Sequence, residues 1–225
     1  MREAVIREHD DEPVPGLPER LPNGETVLWQ GAPRWRPLAR RAFHVRLIAL
    51  YFVALAVWSG ASLVGDGAGA GALALEALWL ALVACVPIGL LLAASVLAAR
   101  TTLFTVTDRR LVLRVGIALP MAVNIPLGAV RSAGLRRCAD GTGDVLLSLM
   151  PSHRVSFIAL WPHVRAWRFS KPEPLLRGLP DAEAAARALA TALAASAASA
   201  ESVQALPVPE RLRPAVDVPA QAAAA

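Results

Sequence analysis

The fold is decided by LIALYFVALAVWSGASLVG (residues 47–65) and ALWLALVACVPIGLLLAASVLAA (residues 77–99), two stretches without a charged side chain. They contain 19 and 23 residues. An α-helix of about 20 residues crosses the roughly 30 Å hydrocarbon core of a membrane. The link between them is short. The sequence therefore predicts a transmembrane hairpin over residues 44–99, with helices at about 44–64 and 76–99.

The composition agrees with a membrane protein. Hydrophobic residues make up 55% of the 225 residues, charged residues 18%, and mean hydropathy is +0.46. Soluble domains typically carry about 25% charged residues. This excludes an ordinary soluble domain, a disordered chain and a coiled-coil rod. The two cysteines exclude a disulfide scaffold and a four-cysteine zinc site.

The basic residues flank the two stretches and leave the link free of positive charge. Under the positive-inside rule, both termini are expected in the cytoplasm, in a multi-pass protein of the bacterial inner membrane. The arginines before the first stretch have two readings that the sequence leaves open. They either bind anionic lipid headgroups, at about 1 kcal/mol each, or only set the topology. They are Arg34, Arg36, Arg40, Arg41 and Arg46.

Outside the hairpin, short strands separated by turn signals predict a small antiparallel β-barrel or sandwich over residues 100–200, closed by a C-terminal helix. That helix is predicted from Pro180 to about Ala200, with Asp181 as N-cap and a Glu183–Arg187 pair. The predicted class is an α+β membrane protein with a pleckstrin-homology-like (PH-like) cytoplasmic domain. The strands are expected at 26–30, 102–107, 111–116, 121–125, 130–138, 145–150 and 154–159.

The remaining segments receive simpler predictions. Residues 1–20 are acidic and rich in proline, and we expect them to be flexible. Residues 21–43 should form a cytoplasmic segment with one short strand and a basic flank. Residues 201–225, rich in alanine and proline, are expected to be disordered.

Motifs of catalysis or cofactor binding are not found in the sequence. The run DGTGD (residues 140–144) contains glycines but no following lysine, and it predicts a hairpin turn and not a phosphate loop. None of the four histidines has a metal-ligand spacing. We therefore expect no enzyme activity, no cofactor and no metal site. Nucleic-acid binding is not expected of residues held this close to a bilayer.

One loop, LWPHVRAW (residues 160–167), combines aromatic and basic side chains between prolines. Trp and Arg are the usual anchors of binding hot spots, so the loop is a candidate partner-binding surface. The alternative, left open, is that the tryptophans are buried under the closing helix or lie at the membrane interface. The candidate residues are Trp161, His163, Arg165 and Trp167.

Five segments together resemble the PuhB-type photosynthetic complex assembly proteins of purple bacteria: LPNGETVLWQGAP (21–33), RRAFHVR (40–46), FTVTDRRLVLRVGIALP (104–120), LWPHVRAW (160–167) and PEPLLRGLPD (172–181). FTVTDRRLV alone resembles many bacterial membrane-anchored PH-like domains. The resemblance implies a non-enzymatic assembly factor of the photosynthetic membrane, with reaction-centre or core light-harvesting antenna polypeptides and anionic lipids as partners. The alternative is a general inner-membrane PH-like module that binds lipids or membrane-protein peptides. Homo-oligomerisation is left open.

Overall fold

The computed structural model describes residues 21–116, 121–153, 155–165 and 171–204, with side chains described as far as residue 198. These ranges contain five α-helices and seven strands. In chain order they are β1 (Val27–Gly31), α1 (Trp35–Arg41), α2 (Val45–Gly65), α3 (Ala70–Thr101), β2 (Leu103–Thr107), β3 (Arg110–Val115), β4 (Met121–Pro126), β5 (Val130–Arg137), β6 (Gly143–Leu149), α4 (Phe157–Leu160), β7 (Leu175–Leu179) and α5 (Ala182–Gln204).

Helices α2 and α3 pack side by side as a hairpin. Both are long and apolar enough to cross a membrane, judged by length and composition. Helix α3 begins at Ala70, six residues before the predicted start, so Glu76 lies inside it and accepts a hydrogen bond from Ser59 Oγ at 2.7 Å. The turn between the helices is tight because Gly67 adopts a positive φ of 76°.

The second helix of the hairpin leads into the β-structure without a linker. Helix α3 has 32 residues, about 48 Å at 1.5 Å per residue, and is therefore longer than a hydrocarbon core. It ends at Thr101, and β2 begins at Leu103. Near this end, Ala98 packs with Leu38 of α1 and with Phe43. The hairpin is thereby fixed to the sheets through both α1 and β2.

The strands form two antiparallel sheets, with the orders β1-β2-β3-β4 and β5-β6-β7. A short 3₁₀ turn, Leu127–Ala129, takes the chain from the first sheet to the second. Within the described residues the two sheets do not join, so of the two predicted arrangements the closed barrel is not formed. The predicted α+β class is confirmed.

Helix α5 packs against both sheets and completes one hydrophobic core. The core contains Phe104 of β2, Leu147 of β6 and Leu189 of α5, each at most 1% exposed. Asp181 Oδ1 accepts a hydrogen bond from the Ala184 amide at 3.2 Å, in agreement with its predicted capping role. Glu183 instead pairs with Arg137 of β5 at 2.7 Å, where the sequence had predicted a pair with Arg187.

Two of the segments that carry the family resemblance, residues 21–33 and 104–120, are joined by side-chain contacts. In the turn after β2, Asp108 Oδ1 accepts from the Thr26 amide at 3.1 Å. The guanidinium of Arg110 binds both oxygens of Glu25 at 2.9 and 3.1 Å. These contacts fasten the segment before β1 to the β2–β3 hairpin. Asp108 and Arg110 of FTVTDRR thus stabilise the first sheet.

Several secondary-structure predictions need correction. The strand predicted at 154–159 is wrong, because Ser156 caps the short helix α4 there by accepting from the Ala159 amide at 3.5 Å. Helix α1 and strand β7 were not predicted. The C-terminal helix continues to Gln204, four residues into the predicted tail. The predicted flexible segment 1–20, Trp167, and residues 205–225 of the predicted tail lie outside the described residues.

Candidate functional site at the junction of helices and sheets

The loop after α4 lies where the helices meet the sheets. The indole of Trp161 contacts the ring of Phe43 edge-on, with centroids 5.2 Å apart, and Phe43 lies between α1 and α2. Trp161 remains 46% exposed. One side of the ring therefore packs against Phe43, and about half of its surface stays accessible. Both readings of this tryptophan stay predictions.

His163 is in the core, which corrects its assignment to an exposed recognition surface. It is fully buried, with Nε2 3.2 Å from Thr102 Oγ1 and its ring edge-on to Phe104 at 5.0 Å. Burial, and to a smaller extent the nearby Arg177 charge, lower the pKa of its imidazole to about 3. His163 is thus a neutral packing residue that ties the loop to Thr102, directly after α3.

Arg165 is the other loop residue that the structure describes at the surface. Its side chain is 47% exposed, and Nη1 lies 2.9 Å from Glu173 Oε2. The loop therefore offers Trp161 and Arg165 as exposed groups, whereas His163 faces inward. Whether the loop binds a partner stays a prediction.

The five arginines before α2 do not share one environment. Arg34, Arg36, Arg40 and Arg46 are exposed, as expected of groups that face water or headgroups. Arg41 instead turns to the second sheet, where it contacts residues about 100 positions further along the chain. Its Nη1 lies 2.9 Å from Asp144 Oδ1, and its Nη2 lies 2.6 Å from Thr142 Oγ1. Arg41 therefore has a structural role that the sequence did not predict, because its guanidinium fastens α1 to the β5–β6 hairpin. Whether it also binds lipid or sets the topology stays a prediction.

Asp144 is the centre of this cluster. Its carboxylate is fully buried and accepts from Arg41, from Arg136 Nη2 at 2.5 Å and from the Gly178 amide at 2.8 Å. The hydrogen bond to Asp144 raises the pKa of Arg136. The DGTGD run does form the predicted hairpin turn, but its last residue is also a buried anion. Buried carboxylates persist when they are paired and hydrogen-bonded.

Arg177 of β7 is a buried cation that the sequence analysis missed. It is 8% exposed, and its two hydrogen bonds go to neutral carbonyl oxygens, Arg41 O at 2.9 Å and Val164 O at 3.3 Å. Its buried Nε has no hydrogen-bond partner among the described residues. Burial lowers the pKa of this guanidinium; Asp144 opposes the effect, and the positive charges nearby add to it. The signal available in the sequence was a lone arginine inside the apolar run LLRGL.

Gly178, the next residue, allows α1 to approach β7 closely. Its φ is +72°, and its carbonyl accepts from the Arg34 amide at 2.9 Å. A Cβ at this position would lie 3.0 Å from Pro37 Cβ of α1. A side chain here would be strained by the backbone and crowded by α1.

These elements enclose an open cleft of about 710 Å³, here called the junction cleft. Its arginines come from the end of α1, from β5, from the loop after α4 and from β7. The lining residues are Arg40, Arg41, His44, Arg136, Cys138, Arg165, Leu175 and Arg177. The described residues contain no group of three or more His, Cys, Asp or Glu side chains that could hold a metal ion. The chemistry that the cleft offers is a concentration of positive charge at the start of α2.

Comparison with known proteins identifies relatives. A family model described as "Bacterial PH domain" matches residues 44–193. A protein of Rhodobacter capsulatus, described as an "uncharacterized 23.7 kDa protein in puhA 5′ region", is 37% identical over 184 residues, which are 81% of this chain and 86% of that protein. No solved structure matches. The predicted PH-like domain is confirmed by the family match.

Proposed function

The chain belongs to the bacterial PH domain family, and on that premise we propose that it is a membrane-anchored, non-enzymatic assembly factor for the photosynthetic reaction centre and its core light-harvesting antenna. The observation that carries this proposal is the relative encoded beside puhA in Rhodobacter capsulatus. It agrees with the resemblance of five segments to PuhB-type assembly proteins.

The hairpin supports the membrane part of the proposal. Large apolar side chains on both helices are uncovered, including Val57 at 68% and Trp58 at 74% exposure on α2, and Val86 at 72% on α3. Soluble monomers rarely expose contiguous apolar surface of this kind. In the proposed arrangement lipid acyl chains and client helices cover these faces. The proposed orientation has both termini in the cytoplasm. The positive-inside rule favours it, since arginines lie on both outer flanks and none in residues 66–69.

The fixed junction between helices and sheets suits an assembly role. A client helix that packs against α2 or α3 in the bilayer would have its cytoplasmic end beside the exposed half of Trp161 and Arg165. The partner would thereby contact the protein both within the membrane and at its cytoplasmic surface. Two linked contacts on one chain gain affinity because the second forms at high effective concentration.

A second candidate is a general inner-membrane PH-like module with no photosynthetic client. The family description favours it, since it names the domain and no photosynthetic process. The two candidates differ in the polypeptides that should lie against α2 and α3.

Site-specific crosslinking distinguishes them. A photoreactive amino acid would replace Trp58 on α2 in the full chain, expressed in its photosynthetic host while pigment complexes are assembling. The proposal predicts crosslinks to reaction-centre or antenna polypeptides. The same substitution at Leu28, which is 44% exposed and belongs to β1 of the first sheet and not to the hairpin, is the control and should give none. Crosslinks from Trp58 to lipid alone, or to unrelated proteins, would favour the general module.

A further inference from the structure

The arginines of the junction cleft outnumber the carboxylates that pair with them. Five guanidinium groups line it, and among the described residues no carboxylate does. Three carboxylates lie against these arginines: Asp140 and Asp144 pair with Arg41, and Glu173 pairs with Arg165. Five positive charges against three negative ones leave an excess of two. The excess is held in a concave space, where neighbouring charges interact more strongly than in open water.

Arg177 is the second, independent sign of a ligand. It is 92% buried, its hydrogen bonds reach only neutral carbonyl oxygens, and its Nε has no partner among the described residues. Burying a cation costs free energy unless an anion compensates it. Asp144 already accepts from Arg41, from Arg136 and from the Gly178 amide. A further anion in the cleft would complete the compensation.

We propose that the junction cleft binds a phosphate group, carried either by an anionic phospholipid or by a small soluble phosphate ester. The planar guanidinium donates paired hydrogen bonds that match phosphate oxygens, and clusters of arginine are a frequent form of phosphate site. The arginines belong to separate parts of the chain, α1, β5, the loop after α4 and β7. One phosphate would therefore link α1, which precedes the helical hairpin, to the second sheet.

The position of the cleft bears on the source of the phosphate. His44, which lines the cleft, is the residue before α2 and adopts a left-handed conformation with φ of 51°. In the proposed membrane orientation, the cytoplasmic headgroups lie at this level. The phosphate site itself needs only the cleft and stands whichever client the helices bind.

The test compares the substitution of two arginines of helix α1, one inside the cleft and one outside it. Arg40 is exposed and lines the cleft, whereas Arg36, also exposed and also on α1, does not line it. Arg40→Gln and Arg36→Gln remove the same charge, so a diffuse electrostatic attraction would weaken equally in both. Arg136→Gln, at a side chain that is 66% exposed, is a second cleft variant. Melting temperatures of the variants without added ligand check that they fold.

Native mass spectrometry of the full chain in detergent would measure binding of phosphatidylglycerol, with phosphatidylcholine as the zwitterionic comparison. Calorimetry would measure binding of glycerol 3-phosphate and inorganic phosphate. Each cleft variant should weaken binding about tenfold, as expected for the loss of one charge-assisted hydrogen-bonding group, and Arg36→Gln should not. If only phosphatidylglycerol binding is weakened by the cleft variants and not by Arg36→Gln, the cleft is a lipid site. If binding of the soluble phosphates changes in this way, the cleft is a site for a soluble ester. Absence of saturable binding to any probe, or equal weakening by Arg36→Gln and the folded cleft variants, would overturn the proposal.

Discussion

His163 makes the stability of the protein depend on pH in a calculable way. The imidazole is fully buried, and its pKa is about 3 in the folded chain against about 6.5 in an unfolded one. Below pH 6.5 the imidazole of His163 binds a proton in the unfolded state but stays neutral in the folded state. Stability from this group is therefore full above pH 6.5 and is lost as pH falls toward 3. Between pH 7 and pH 5 the loss is about 2 kcal/mol, from 1.36 kcal/mol per pKa unit.

The assay is chemical unfolding of the detergent-solubilised full chain at pH 7 and pH 5. His163→Gln removes the titrating group and keeps an amide that can donate to Thr102 Oγ1, which the imidazole approaches at 3.2 Å. The wild type should lose about 2 kcal/mol more than this variant between the two pH values. His153→Gln, at a histidine that is not fully buried, is the control for losing one histidine. Equal losses for the wild type and His163→Gln would refute the assignment of a neutral buried imidazole.

Three further predictions concern the cluster, the topology and the loop. Asp144→Asn should lower the free energy of unfolding by about 3 kcal/mol, measured by denaturant titration, because Arg41 and Arg177 lose their buried counter-charge; unchanged stability would contradict this. Reporters fused to both termini should act in the cytoplasm and one inserted at Gly67 in the periplasm; a periplasmic C-terminal reporter would reverse the orientation. Trp161→Ala and Arg165→Ala should reduce co-purification of client polypeptides at normal protein level, Trp161→Ala by about 30-fold in affinity; loss of the Trp161→Ala protein itself, with Arg165→Ala fully active, would leave the loop as packing.

The sequence was most informative where one local signal is enough. Two long uncharged runs predicted α2 and α3, because a long apolar helix is recognised by its own length and composition and not by its neighbours. Turn residues such as those at 108–110 and 140–144 separated β2 from β3 and β5 from β6. Strand β7 was missed because its five-residue apolar run is interrupted by Arg177 and Gly178. Helix α1 was missed because its basic residues read as a membrane flank.

The candidate site depended on contacts that no local pattern contains. Arg41 and Asp144 are separated by 103 positions, so neither the basic flank nor the glycine-rich turn indicated the other. His163 was misplaced because a histidine directly after Pro162 and two residues before Arg165 is typical of an exposed loop. Its burial follows from the packing of the loop on Phe104, which only the tertiary fold provides.

The central claim is that the protein raises the yield of the reaction-centre–antenna complex without being part of its chemistry. The direct measurement is the near-infrared absorbance of membranes from a strain that lacks the gene, followed during induction of pigment synthesis and compared with the same strain carrying a restored copy. The proposal predicts a lower amplitude and slower rise of the complex's absorption, recovered by the restored gene, with band positions unchanged. Equal amplitude and equal kinetics in the two strains would contradict it.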